Sequence, residues 1–296
     1  MKKKEFRFNG VLNINKPAGM TSHDVVDYIR KIAKMRRVGH TGTLDPMATG
    51  VLPLCLGQAT KIVQFLIAQD KEYIVEMKMG VVTDSQDMTG DITGEFPVPP
   101  LTDADILHVF SQFTGEIWQT PPMVSAKHHK GQRLYELARK GVEVEREPCK
   151  IFIHDLVLES IDLPLIRFRV TCSKGTYIRT LCHDMGLALQ SGACMSGLLR
   201  SRCGAFAIDG AVDLMTLQGP EDIEQHLCSL NDALSSIPSV SVGTEGKASI
   251  HCGRSLSGGL ITRRNGNFQS GALVRVTARD GSLLGLGQAL LGSDQL

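Results

Sequence analysis

Residues 39–50 read Gly-His-Thr-Gly-Thr-Leu-Asp-Pro-Met-Ala-Thr-Gly, and no regular element accommodates that stretch. Pro46 lacks a backbone donor and biases Asp45 toward an extended backbone, while the glycines at 39, 42 and 50 allow a ligand or another backbone to approach closely. The longest unbroken apolar run of the chain, Val51 to Leu56, follows at once. The chain must therefore carry a long ordered loop tied to a buried strand. Two readings of Asp45 are open. It can bond local N–H groups in an Asx-type turn, which is the commoner fate of an isolated Asp-Pro, or it can present a carboxylate to a ligand on a rigid tip. A phosphate loop is excluded, because no G-x-x-x-x-G-K-[ST] occurs there.

Periodicity places the neighbouring elements. Gly10 to Lys16 alternates and stops at Pro17, as a short strand does. Thr21 and Asp24 form a capping-box pattern ahead of Val25, Val26, Ile29, Ile32 and Ala33 at helical spacing, and Thr102 with Asp105 repeats the signal before Ile106, Val109 and Phe110. Tyr73, Val75, Met77 and Met79 alternate with Ile74, Glu76 and Lys78, which predicts a half-buried strand. Arg133 to Lys140 reads as a helix stopped by Gly141. Two strands follow near 151–160 and 166–172, and a helix begins at Lys174-Gly175-Thr176. Strands and helices mix without a βαβα rhythm, so the class is α+β. Ser235 to Ser239 reads as a linker. The hairpin Ala272–Ala278 and Leu283–Leu290, closed by Arg279-Asp280-Gly281-Ser282, belongs to a small C-terminal β-barrel module at 237–296.

The 296 residues are 42% hydrophobic, enough to bury a core without staples. Eight cysteines include no C-x-x-C pair, which argues against zinc ribbons and dithiol chemistry. The basic first residues precede no apolar core, and no run approaches the roughly 20 residues of a membrane span. Free thiols without an export signal point to the cytoplasm.

The net charge of +1 hides segregation. Residues 1–40 carry ten Lys/Arg against three acids, 121–150 seven against four and 161–202 six against two, whereas 81–116 and 203–246 each hold seven acids and neither Lys nor Arg. Basic segments that converge would make a polyanion footprint. Segments that stay apart would be an ordinary solvated surface, and composition alone does not separate the two.

Two further segments could carry chemistry. Ser173-Lys174-Gly175-Thr176-Tyr177-Ile178-Arg179 occupies a strand-to-helix junction, where side chains and free N–H groups face ligands. Arg179 could be a surface cation or the partner that keeps a buried carboxylate ionised. Lys71-Glu72-Tyr73 opens the alternating strand, and a tyrosine there can serve core packing or chemistry.

Taken together, Lys16-Pro17-Ala18-Gly19-Met20-Thr21-Ser22, the fourteen residues Gly39 to Leu52, Lys71-Glu72-Tyr73 and Ser173 to Arg179 closely resemble the bacterial TruB family of tRNA pseudouridine-55 synthases, in the family's order and spacing over residues 9 to about 215. The tail resembles the PUA-type RNA-binding module of such enzymes. The resemblance implies a catalytic domain over 1–236 built on a mixed, mainly antiparallel sheet flanked by helices, with a basic RNA-gripping insertion at 121–150, and isomerisation of uridine 55 in the tRNA T-loop to its C5-glycoside. Nothing is oxidised, hydrolysed or phosphorylated in that change, so neither cofactor nor metal is required. The matching nucleophile is Asp45, paired by Arg179. Tyr73 matches the residue stacked on the flipped uracil and is a candidate acceptor of the C5 proton. His40 matches the histidine that fills the vacated place in the RNA, and Tyr177 and Leu198 match base-pocket positions. Lys16, Lys127, Lys130 and Arg133 are expected substrate contacts. Leu199 departs from the family's Leu-Arg-Arg pattern, which puts one backbone contact in doubt. A membrane and an obligate protein partner are not implied, and the chain is expected to act as a monomer.

Other classes remain to be separated. A non-catalytic RNA-folding protein on the same scaffold would keep its function after Asp45→Asn. A nucleoside hydrolase would need a second carboxylate or an activated water, and no paired-acid motif accompanies Asp45 in sequence. The basic insertion and short tail favour a stand-alone enzyme over the guide-RNA-dependent relatives.

Overall fold

The alternation of Lys71–Met79 is realised residue by residue, with Tyr73, Val75, Met77 and Met79 buried and the residues between them half-buried. This strand sits inside an eleven-stranded sheet in a computed structural model that describes residues 7–125, 142 and 144–295, together with the backbone of 128–129 and 132–133. The sheet runs Val212–Asp213, Gly10–Lys16, Thr49–Leu56, Ala193–Cys203, Lys71–Met79, Leu165–Cys172, Cys149–Asp162, Gly115–Gln119, with Val38–His40, Phe206–Ala207 and Leu227–Cys228 paired alongside. Two pairings are parallel, Gly10–Lys16 with Val212–Asp213 and Thr49–Leu56 with Ala193–Cys203. The rest are antiparallel, as a mixed α+β sheet was expected to be.

Both capping boxes form. Thr21 and Asp24 start the helix Ser22–Ala33, and Thr102 and Asp105 start Asp103–Phe113. These helices and Ile178–Ala188 cover one face of the sheet with a single apolar core, in which Phe110 meets Phe168 edge-on at 5.4 Å. Such a pair adds about 1 kcal/mol beyond its buried area. The last of these helices starts later than the sequence suggests, at Ile178. Gly175 takes φ +84° in the preceding turn, and Tyr177 is the N-cap in an extended conformation. Val51, Cys55, Leu66, Phe206 and Ala233 form a second core.

The C-terminal strands make a separate four-stranded sheet, ordered Ile261–Asn265, Ser239–Val242, Leu273–Ala278, Leu283–Gln288. The expected linker before it is clamped. Arg275, 5% exposed, donates to Ile237 O at 2.8 Å, Ser235 O at 3.3 Å and both Asn231 O and Oδ1 at 2.9 and 2.6 Å. Leu283 and Leu286 of this sheet pack on the second core. The helix expected over 133–140 lies outside the described residues, except that Arg133 falls in the two-residue strand Gln132–Arg133.

Candidate active site

The loop that ends in Asp45 is held from behind by the first strand and the turn after it. Lys16 is fully buried, and its Nζ donates to Ala48 O at 2.6 Å, Pro17 O at 2.9 Å and Pro46 O at 3.3 Å. The backbone N–H of Gly19 donates to Pro46 O at 2.8 Å, and Ser22 Oγ accepts from Leu44 N at 2.8 Å. The motifs at 16–22 and 39–50, far apart in sequence, are thus two halves of one scaffold. The expectation that Lys16 contacts substrate is corrected here. Its ammonium is spent on the carbonyls of Pro46 and Ala48 beside Asp45 and on that of Pro17, and a side chain with no exposed surface meets no phosphate. Burial, opposed by Asp45, brings the Lys16 pKa down to about 8.

Asp45 looks out from this loop into a cleft of about 1160 Å³ that Tyr73, Tyr177, Arg179, His40, Leu198 and Arg200 also line. Its Oδ1 lies 3.5 Å from Arg179 Nη2. The same arginine donates to Val124 O at 2.6 Å and approaches Asp87 Oδ2 at 3.5 Å through Nη1. Burial raises the Asp45 pKa above the ordinary carboxylate value. Arg179 opposes that rise, Asp87 adds to it and Lys16 opposes it. The arginine keeps a partly buried acid from leaving its ionised form.

Tyr73 is 9% exposed, and burial pushes its phenol up to about 12, with Arg200 working in the opposite direction. His40 ends the strand Val38–His40 and accepts through Nδ1 from Gly42 N at 3.3 Å, so its proton sits on Nε2. Burial and Arg200 lower its pKa, which leaves a neutral ring at neutral pH. Leu198 lies directly opposite Val75 and Arg200 opposite Tyr73, so both share the cleft face of the sheet. Leu199, opposite Ile74, points to the other face. Leu199 is not among the residues that line the cleft.

Asp87, Gln119 and Arg200 were not singled out by sequence reasoning. Asp87 is 2% exposed and accepts from Ser85 Oγ, Thr89 N and Thr89 Oγ1, yet it reads in sequence as one acid of a solvated acidic stretch. The Gln119 amide bonds both backbone groups of Tyr177, accepting at 2.8 Å and donating at 3.0 Å, and so fixes the turn that launches Arg179. Its position two residues before the basic segment 121–150 was the available signal. Of the basic segments, 161–202 reaches the cleft through Lys174, Arg179 and Arg200, whereas 1–40 lines it with His23 and His40 and none of its ten Lys/Arg. Lys127 and Lys130 lie outside the described residues, as does the side chain of Arg133.

The chain matches the profile of the TruB family pseudouridylate synthase N-terminal domain over residues 30–178 and that of the tRNA pseudouridylate synthase B C-terminal domain over 179–235. It is 42% identical over 283 residues to tRNA pseudouridine synthase B of Pelotomaculum thermopropionicum, covering 93% of this chain and 90% of the relative. It is 41% identical over 292 residues to the protein of the same name from Syntrophus aciditrophicus, covering 97% and 93%. Among solved structures it superposes on a chain of a Cbf5-Nop10-Gar1 complex with a TM-score of 0.76 at 28% identity, covering 100% of this chain and 86% of that one. A chain of an H/ACA RNP bound to a substrate RNA containing 2′-deoxyuridine matches with a TM-score of 0.75 at 27% identity, covering 97% and 80%. Profile, sequence and fold agree, and the chain belongs to the TruB family of pseudouridylate synthases.

Proposed function

We propose that this tRNA pseudouridine synthase acts on uridine 55 of the tRNA T-loop, with Asp45 as its nucleophile. The observation that carries this reading is the ionisable, partly buried Asp45 held 3.5 Å from Arg179 in a cleft that Tyr73 also lines. The reaction breaks the C1′–N1 bond, turns the base and joins C1′ to C5. A carboxylate supports it by covalent attack or by offsetting positive charge at C1′. A base in a folded loop must first be extruded, at a cost of a few kcal/mol. The neutral His40 ring at the cleft edge is suited to take its place in the RNA. Tyr73 stacks on the extruded uracil, and Tyr177 and Leu198 border its pocket.

Residues 1–236 act as the catalytic domain, and 237–296 as a PUA-like RNA-binding module. Lys127, Lys130 and Arg133 of the insertion at 121–150 grip phosphates. T-loop shape rather than base sequence then sets specificity. Among the described residues no helix is long and apolar enough to cross a membrane. The enzyme works in the cytoplasm as a monomer without an obligate protein partner. Incubation of the purified protein with unmodified tRNA, or with its T-arm hairpin, followed by base-by-base mapping, is expected to give pseudouridine at position 55 alone. Asp45→Asn is expected to give none. Modification elsewhere, or activity without the carboxylate, refutes the reading.

A further inference from the structure

We propose that Arg200 is a positioning residue for the final proton transfer, acting through Tyr73: it holds the phenol against the catalytic loop and stabilises the phenolate that receives the C5 proton. This rests on the reading of Tyr73 as the residue facing the extruded uracil.

Arg200 and Tyr73 are direct cross-strand partners on one face of the sheet, and both line the cleft. Arg200 is 1% exposed, among the largest fully buried side chains of the chain. Its Nε donates to Val51 O at 2.6 Å and its Nη2 to Gly42 O at 3.2 Å, so it ties the tyrosine strand to the loop that carries Asp45. Arg179 stands between two carboxylates, but among the described residues Arg200 has none within 4 Å. A buried cation without a counter-ion is costly. The titratable groups that face it are His40, Lys16, Lys71 and Tyr73. Only the phenol among these can become an anion. The thiols of Cys172 and Cys203 also face Tyr73 but do not line the cleft. Burial drives the Tyr73 phenol upward, and Arg200 is the cation that works against it.

The step balances as follows. The Tyr73 phenol first gives its proton to water. After C1′ has bonded to C5, the ring holds a C6–N1 double bond. The C5–H bond then breaks, its electron pair forms the C5–C6 double bond, and the C6–N1 π pair moves to N1, which takes from water the proton the phenol first gave up. The C5 proton passes to the phenolate oxygen, which regenerates the phenol. No other reactant enters.

The test compares Arg200→Met, Arg200→Lys and Tyr73→Phe with the unaltered enzyme on T-arm RNA carrying ordinary uridine, uridine deuterated at C5, or 5-fluorouridine, which has no C5 proton to lose. Arg200→Met is expected to lower kcat about 100-fold with KM little changed. It should also reveal a normal isotope effect from the C5 deuterium, and slow the reaction with 5-fluorouridine RNA far less than that with ordinary RNA. Arg200→Lys, which keeps a cation and spares the fold, should recover part of the rate and retain a smaller isotope effect. Equal slowing on 5-fluorouridine RNA, or slowing without an isotope effect in both variants, overturns the proposal, and so does full activity of Arg200→Met. A fully active Tyr73→Phe refutes the role of the tyrosine. An inactive Tyr73→Phe beside an unaffected Arg200→Met refutes only the role of the arginine.

Discussion

Asp45 and Asp87 share one guanidinium, each with a carboxylate oxygen 3.5 Å from a different terminal nitrogen of Arg179. The two acids differ in what else they hold. Asp87 is 2% exposed and accepts hydrogen bonds from Ser85 and Thr89, while Asp45 keeps a third of its side chain open toward the cleft. Asp87 is fixed by its own donors, Arg179 is tied to Val124 O, and Asp45 keeps an open side toward the cleft.

The raised pKa of Asp45 has a direct consequence for pH dependence. The acid limb of kcat/KM is expected above the ordinary carboxyl value of 3.8, and Arg179→Met is expected to move it higher while turnover falls about 100-fold or more. A carboxyl whose folded pKa exceeds its unfolded one contributes stability below the unfolded value and loses it as pH rises through the folded one. Asp45→Asn should therefore be inactive yet melt higher than the unaltered enzyme at pH 7, with the gap closing toward pH 4. Thermal melts at the two pH values check this.

Lys16 carries the opposite sign. Its folded pKa of about 8 lies below the ordinary 10.5, so its burial penalty is present below about 8 and is relieved as pH rises toward 10.5. Lys16→Met removes that alkaline gain and takes the ammonium donor from the Pro17, Pro46 and Ala48 carbonyls, of which Pro46 keeps the Gly19 N–H. A loss of about 2–4 kcal/mol in urea unfolding at pH 7 is expected, with kcat reduced and RNA affinity nearly unchanged.

Gly50 and Gly175 both have positive φ, at +100° and +84°, but only Gly50 is crowded. A Cβ on Gly50 would lie 2.3 Å from the backbone oxygen of Arg200, whereas one on Gly175 meets nothing within 4 Å. Gly175→Ala should cost about 1 kcal/mol in stability from backbone strain alone. Gly50→Ala should cost several times more, or fail to fold, because it pushes apart the Thr49–Leu56 and Ala193–Cys203 strands.

Salt reports on the basic segments. Affinity for tRNA is expected to fall about tenfold or more over a few-fold rise in salt if several phosphates are neutralised. Replacing Lys127, Lys130 and Arg133 together with glutamine should flatten that slope while single-turnover chemistry at saturating RNA is kept. A steep slope that the triple variant leaves unchanged would place the phosphate contacts elsewhere.

The elements closed by local chemistry were legible in the sequence. Thr21 with Asp24, Thr102 with Asp105, and the alternation from Tyr73 to Met79 need only neighbours a few residues away. Asp45, Tyr73 and Arg179 were found through motifs, and they do meet in one cleft. What sequence did not show depends on contacts made across the fold. Lys16 was expected to contact substrate, and only the loop 30 residues on, which supplies two of its carbonyls, shows it buried instead. Arg200 sits in an alternating run in which nothing marks it as the buried member. Asp87 lies in a stretch whose composition suggests solvent, and only Arg179, some 90 residues later, draws it inward.

The Arg275 clamp settles where adaptation occurs. With its guanidinium fastened to Asn231, Ser235 and Ile237, the C-terminal sheet has little freedom to swing, and the entropy of aligning the two ends of the molecule is spent at folding rather than at encounter. On the reading of 237–296 as an RNA-binding module, a nucleic acid that touches both ends must conform to a preset spacing.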